Sequence, residues 1–145
     1  MQTKLLHEND GKRTFAAILE TGDEVMSCLE TLARTEKLDA AQITAIGAFQ
    51  NAVVTYFDWE KKEYEELPVR DQVEVASLNG DIGVDEEGKP SIHIHLVLGK
   101  RDGSAVAGHL KQAHVRPTLE VIVTESPAHL VRHKDEVSGL NLIRF

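Results

Sequence analysis

Between Ser91 and Gly99 the chain reads Ser-Ile-His-Ile-His-Leu-Val-Leu-Gly, with an aliphatic residue at every second position from Ile92 to Leu98. That period of two is the pattern of a β-strand with one buried face. Ile92, Ile94, Leu96 and Leu98 form the core side, and His93, His95 and Val97 face the other way. Two imidazoles therefore stand on one face with their Cα atoms roughly 7 Å apart, from the rise per residue of a strand. Ten residues further on comes Gly108-His109-Leu110. If His109 lies on the neighbouring strand, it is a natural third member of the set.

The rest of the chain supplies neighbours for such a strand. Residues 1–11 are polar, end in Asn9-Asp10-Gly11 and predict a lead-in or edge strand closed by a turn, followed by a strand over Arg13–Glu20. Thr21-Gly-Asp-Glu24 has the capping-box spacing, with Thr21 as N-cap and Glu24 at the third helical position. Val25, Cys28, Leu29 and Leu32 recur at helical spacing, so residues 23–36 are expected to form an amphipathic helix. Cys28 sits on its apolar stripe as a small buried hydrophobe.

Strands follow at Ile43–Phe49 and Ala52–Trp59, flanking a hairpin-like Gln50-Asn51. A turn at Glu60-Lys61-Lys62 leads into Glu63–Leu67, and Pro68 and Asp71 break the chain. A strand at Gln72–Leu78, continuing past Asn79-Gly80 to Val84, is closed by the turn Asp85–Pro90. After the histidine strand come a tight turn at Lys100–Ser104, a segment from Ala105 to His109, and a strong strand at Arg116–Thr124. The tail alternates weakly. One helix and six or seven strands joined by short turns define an α+β fold with a mainly antiparallel sheet. Its 145 residues form a single compact domain.

Three histidines on adjacent strands would give a metal three imidazole ligands and an open fourth position, a geometry suited to catalysis or reversible ligand binding. Zn, Ni, Cu and Fe all accept imidazole. A His-x-His pair by itself is a weak signal, and on many solvent-facing strands it has no role. Gly108 adds weight, because a glycine beside the third histidine allows close backbone approach. Glu120, out of phase with Leu119, Val121 and Val123, reads as an outward carboxylate or, beside the histidines, as a hydrogen-bond acceptor or general base. Glu74 is a weaker candidate of the same kind. Arg116 reads as a surface residue or as a bidentate grip on an anionic ligand. His7, His114, His129 and His133 lie in polar surroundings and read as surface residues, though His114 is close enough to His109 in sequence to stay open as a further member of the set.

The charge balance limits the partners. Sixteen basic and 24 acidic residues give a net charge of −8, which opposes the phosphate neutralisation behind non-specific nucleic-acid binding. No basic run extends beyond Lys61-Lys62 and Lys100-Arg101, and neither is interleaved with aromatics. The apolar runs are too short to span a bilayer. The N-terminus lacks an apolar signal-peptide segment, and the single cysteine, Cys28, fits a reducing compartment. A cytoplasmic protein is expected.

Gly47-Ala-Phe with Tyr56-Phe-Asp, Val75-Ala-Ser-Leu-Asn-Gly80-Asp-Ile, His93-Ile-His-Leu, Asp102-Gly, Gly108-His109-Leu and Thr118-Leu-Glu-Val occur in this order. In this combination the chain resembles the PPC (plants and prokaryotes conserved) domain family over about residues 12–145. The resemblance implies a compact α+β domain assembled as a homotrimer. It also implies a divalent metal, usually zinc, at His93, His95 and His109, as in many prokaryotic members. Plant members lack these histidines, carry AT-hook motifs and act in transcription regulation; prokaryotic members share a DNA-binding label by analogy. This chain contains no AT-hook, since no Arg-Gly-Arg core flanked by prolines and basic residues is present.

The expectation is therefore a homotrimeric metal-binding regulatory or ligand-binding module with its metal at or near a subunit interface. The alternative is a metal-dependent enzyme for a small anionic substrate, with Glu120 as proton acceptor and Arg116 as anchor. A metal that only stabilises the trimer is a third possibility.

Overall fold

In the computed structural model, which describes residues 1–145 except Pro127 and His129, the chain begins with the expected edge hairpin. β1 (Gln2–Asn9) pairs antiparallel with β2 (Lys12–Glu20). Asp10 and Gly11 adopt positive φ at the turn between them, as Asx-Gly turns do. His129, read from the sequence as a surface residue, lies outside the described residues.

The helix, α1 (Val25–Glu36), buries Val25, Leu29, Leu32 and Ala33 on one face. Its cap differs from the expected Thr21. Glu24 is the N-cap, and its carboxylate accepts from the Met26 and Ser27 N–H groups at 3.2 and 2.8 Å. Thr21 instead donates its hydroxyl to the Pro117 carbonyl at 3.3 Å. The Ala113 N–H also donates to Glu24, so the cap carboxylate ties α1 to the sheet as well as to its own first turn. At the other end Lys37 adopts the left-handed conformation, with φ 54°, and the Leu38 N–H bonds the Ala33 carbonyl.

Two strands prove longer than their sequence patterns. Ile43–Phe49 and Ala52–Trp59 belong to one strand, β3 (Ala41–Asp58). Gln50-Asn51 makes no hairpin: neither residue has the positive φ that a two-residue turn needs. The register instead shifts on either side of Asn51, whose Oδ1 pairs with the His114 ring at 3.1 Å. Likewise Ala105–His109 and Arg116–Thr124 join into β7 (Ala105–Glu125). Each explains the other, since β3 and β7 run antiparallel from Ala41↔Glu125 to Thr55↔His109. Pro68 does not end β4 (Glu63–Val69), which lies at the sheet edge and pairs only with β3. There a missing N–H leaves no ladder bond unmade.

β5 (Val73–Val84) and β6 (Pro90–Gly99) complete a seven-stranded sheet in the order β1-β2-β7-β6-β5-β3-β4. The additional β7–β3 pairing closes β3, β5, β6 and β7 into a barrel-like ring. Every ladder in the sheet is antiparallel. The core holds Phe49, Leu78, Ile94, Leu96, Leu98, Leu110 and Leu119, together with the apolar face of α1. The tail forms a small hairpin of β8 (Arg132–Lys134) and β9 (Asn141–Ile143). Among the described residues no helix is long and apolar enough to cross a membrane.

Candidate metal centre

The period-two reading of the histidine strand holds in three dimensions. Ile94, Leu96 and Leu98 are buried, Ile92 is partly buried against the same core, and His93 and His95 emerge on the opposite face of β6. In register, His95 sits opposite His109 of β7, and His109 in turn sits opposite Thr55 of β3. The three strands are brought close by glycine. A Cβ on Gly108 would stand 2.8 Å from the Thr55 carbonyl oxygen, and one on Gly80 would stand 2.3 Å from that of His93. Any larger residue at either position would push β3 or β5 away from the site.

The result is a triad of imidazoles. Ring centroids are 5.0 Å apart for His93–His95 and His93–His109, and 5.5 Å for His95–His109. One nitrogen from each ring lies within 4.8 Å of the other two. His109 Nδ1 is buried and has no hydrogen-bond partner. Leaving such an atom unpaired costs about 1–3 kcal/mol, a cost that a cation ligated at that atom would remove. Burial, reinforced by His93 and His95, lowers the His109 pKa to about 4. Burial, then His95 and Arg132, also hold His93 below its ordinary value, against an opposing pull from Asp81. Near neutral pH His93 and His109 are thus unprotonated, the form that binds metal. The triad can hold a divalent ion.

Several partners of the site were not legible in the sequence. Asp81 lies opposite His93 in register. Its carboxylate pairs with the Arg132 guanidinium, whose side chain is 5% exposed and also donates to the Ser91 carbonyl at 3.0 Å. This pairing fastens the tail hairpin to β5 and β6. The Tyr64 ring, on β4, lies 5.3 Å from that of His109. A cleft of about 430 Å³ opens beside His93 and His109, lined also by Tyr64 and residues 139–143. The one sequence signal for Asp81 was its period-two phase with Asn79, which acquires meaning only once the β5–β6 register is known.

The remaining candidates lie elsewhere. Glu120 is exposed on β7, in register with Ile18 of β2 and Ile46 of β3. It lines a groove with Ile18, Ile46 and Ile122 that none of the three histidines lines. Arg116 is exposed and does not line the cleft, and Glu74 is exposed opposite Gly99, at the other end of β6 from His93. His7 is exposed, His114 pairs with Asn51, and His133 pairs with Glu86 at 2.9 Å.

The pattern of the Plants and Prokaryotes Conserved (PCC) domain matches residues 6–127. The chain belongs to this family. The match starts six residues before the resemblance read from the sequence and ends ahead of the tail hairpin, so Arg132 and residues 139–143 lie outside it. A plant- and prokaryote-conserved protein from Pyrococcus horikoshii superimposes with a TM-score of 0.85 at 27% identity, over 99% of this chain and 95% of that one. A metal-containing protein from Archaeoglobus fulgidus does so with a TM-score of 0.85 at 34% identity, over 100% and 99%. A third, from Ralstonia eutropha and described as a "putative DNA-binding protein", gives 0.83 at 32% identity over 90% of each chain. No curated protein matches the chain.

Proposed function

We propose that this PCC-domain protein is a cytoplasmic, homotrimeric metal-binding module that regulates or binds a small ligand, with zinc held by His93, His95 and His109. The observation that carries the reading is the convergence of the three imidazoles, one nitrogen of each within 4.8 Å of the other two, with His109 Nδ1 buried and without a hydrogen-bond partner. The metal-containing Archaeoglobus relative supports it. Three neutral imidazoles are a suitable donor set for zinc and leave a fourth position free. When bound, such an ion supplies Lewis acidity and can acidify a coordinated water. The protein's own share is to hold three rings in place and to present the cleft.

Metal analysis of the purified protein tests the site. About one equivalent of zinc per chain is expected, and His93→Ala or His95→Ala should remove it. An unchanged metal content in both variants would refute the assignment.

DNA binding comes to the chain through relatives such as the Ralstonia protein. The net charge of −8 and the missing AT-hook oppose it. A shift assay at moderate salt and micromolar protein should show no retained duplex.

A second reading, a metal-dependent enzyme for a small anionic substrate, is favoured by the cleft alongside the triad. In it, Glu120 as proton acceptor and Arg116 as anchor require a neighbouring subunit to carry them to the cleft, since neither lines it within one chain. A metal serving only to stabilise the trimer would leave that cleft without a purpose.

A further inference from the structure

We propose that the cleft beside the triad takes a small monocarboxylate with an aliphatic body. The head lies at His93 and His109, and the body lies along Leu140 and Leu142. The inference rests on the metal-centre reading above and adds to it the class of ligand and the residues that select it.

Charge defines the head. Three neutral imidazoles leave the charge of a divalent ion uncompensated, so the ligand that completes the site is an anion. What lines the cleft limits the choice of anion. Among the described residues its one side-chain cation is Arg132, and that guanidinium is already committed to the Asp81 carboxylate and the Ser91 carbonyl. No further described basic group lines it to bond the outer oxygens of a phosphate, oxygens that a carboxylate lacks.

The walls define the body. A volume of about 430 Å³ is far more than a bare carboxylate fills. Leu142 is 38% exposed although it lines the cleft, while Leu140 is half-buried. An aliphatic chain laid against them would remove this apolar surface from water. The wall that carries them is held by the Arg132–Asp81 pairing, and it lies beyond the residues matched by the family pattern. Ligand choice thus resides in the tail hairpin, whereas the histidines supply only the anchor.

The test uses the full chain loaded with Co(II), which accepts imidazole ligands and reports its coordination optically. Acetate, butanoate, hexanoate and inorganic phosphate are titrated into it while the visible bands are followed. Affinity is expected to rise by up to about fourfold per buried methylene, giving a gain of at least tenfold from acetate to hexanoate, with phosphate no tighter than acetate. Leu142→Ser should flatten this dependence and leave the acetate response and the Co(II) bands unchanged. Equal affinity across the acids in the unmodified protein overturns the inference while the metal centre stands, and so does tighter binding of phosphate. Failure of Co(II) to give bands overturns the metal reading and this inference with it.

Discussion

His109 shows how much a single residue can draw from its surroundings. In the sequence it is one of seven histidines. Among the described residues it is the one whose ring nitrogen is buried without a partner, wedged among His93, His95 and Tyr64. Its pKa is lowered to about 4, by burial first and by His93 and His95 after it. In the unfolded chain the same ring takes up a proton near pH 6.5. Between those two values the unfolded state binds more protons than the folded one, so folding stability rises with pH across the window. Metal-free protein should therefore lose stability as the pH falls from about 6.5 toward 4. His109→Ala should show a shallower slope over that range in denaturant melts recorded at several pH values. Equal slopes would mean that the ring is not held neutral by the fold. Nothing in Gly108-His109-Leu110 foretells this, because burial comes from β3 and β4. Gly108 itself was informative, and its role is the expected one of letting β3 approach.

Among the elements, α1 and the two long strands illustrate where local patterns suffice and where they fail. The apolar stripe of Val25, Leu29 and Leu32 located the helix correctly. The cap moved from Thr21 to Glu24 because the carboxylate gains the Met26, Ser27 and Ala113 N–H groups at once, the last of them from β7. Burial alone would raise the Glu24 pKa, but the hydrogen bonds from Ser27, Met26 and Ala113 together hold it below its ordinary value. Its stabilising effect is thus present above the usual carboxylate range and lost as the pH falls through the folded value. Glu24→Ala should cost about 1 kcal/mol at neutral pH. The gap between variant and parent should narrow as the pH is lowered below about 4; a gap independent of pH would mean that the carboxylate charge plays no part in the cap. In β3, by contrast, the Gln50-Asn51 pair resembles a hairpin by composition. It is overruled by the continuous partnership with β7, a contact between residues more than 50 positions apart that no local pattern records.

For the molecule as a whole, the unusual surface is the outer face of the sheet around Glu120. Ile46 is 61% exposed, with Ile18 and Ile122 more than a third exposed nearby. Ile18 and Ile46 flank Glu120 in register. An apolar cluster on an exposed sheet face marks a surface that another chain can cover, and it supports the proposed trimer. Ile46→Glu should leave the fold intact by circular dichroism and lower the mass measured by light scattering from three times the 16.1 kDa chain toward one. If the parent protein is monomeric, or the variant remains a trimer, this face is not the interface. The same assembly bears on Glu120 and Arg116, which lie away from the cleft in their own chain.

The amino-acid sequence by itself determined the fold class, the helix, the face on which His93 and His95 stand, and the family. All of these depend on periodicity and on short motifs, which are properties of neighbouring residues. The tertiary structure decided the rest. It set the register that puts His95 against His109 and Asp81 against His93, and the ring closure that makes single strands of β3 and β7. It also brought the tail, through Arg132, to the edge of the histidine site. Register and docking are fixed by hydrogen bonds and packing between segments far apart in the chain, where a shift of one residue would turn every side chain to the opposite face. That is why the sequence showed which residues bear the chemistry, while the cleft beside them became visible only in the folded molecule.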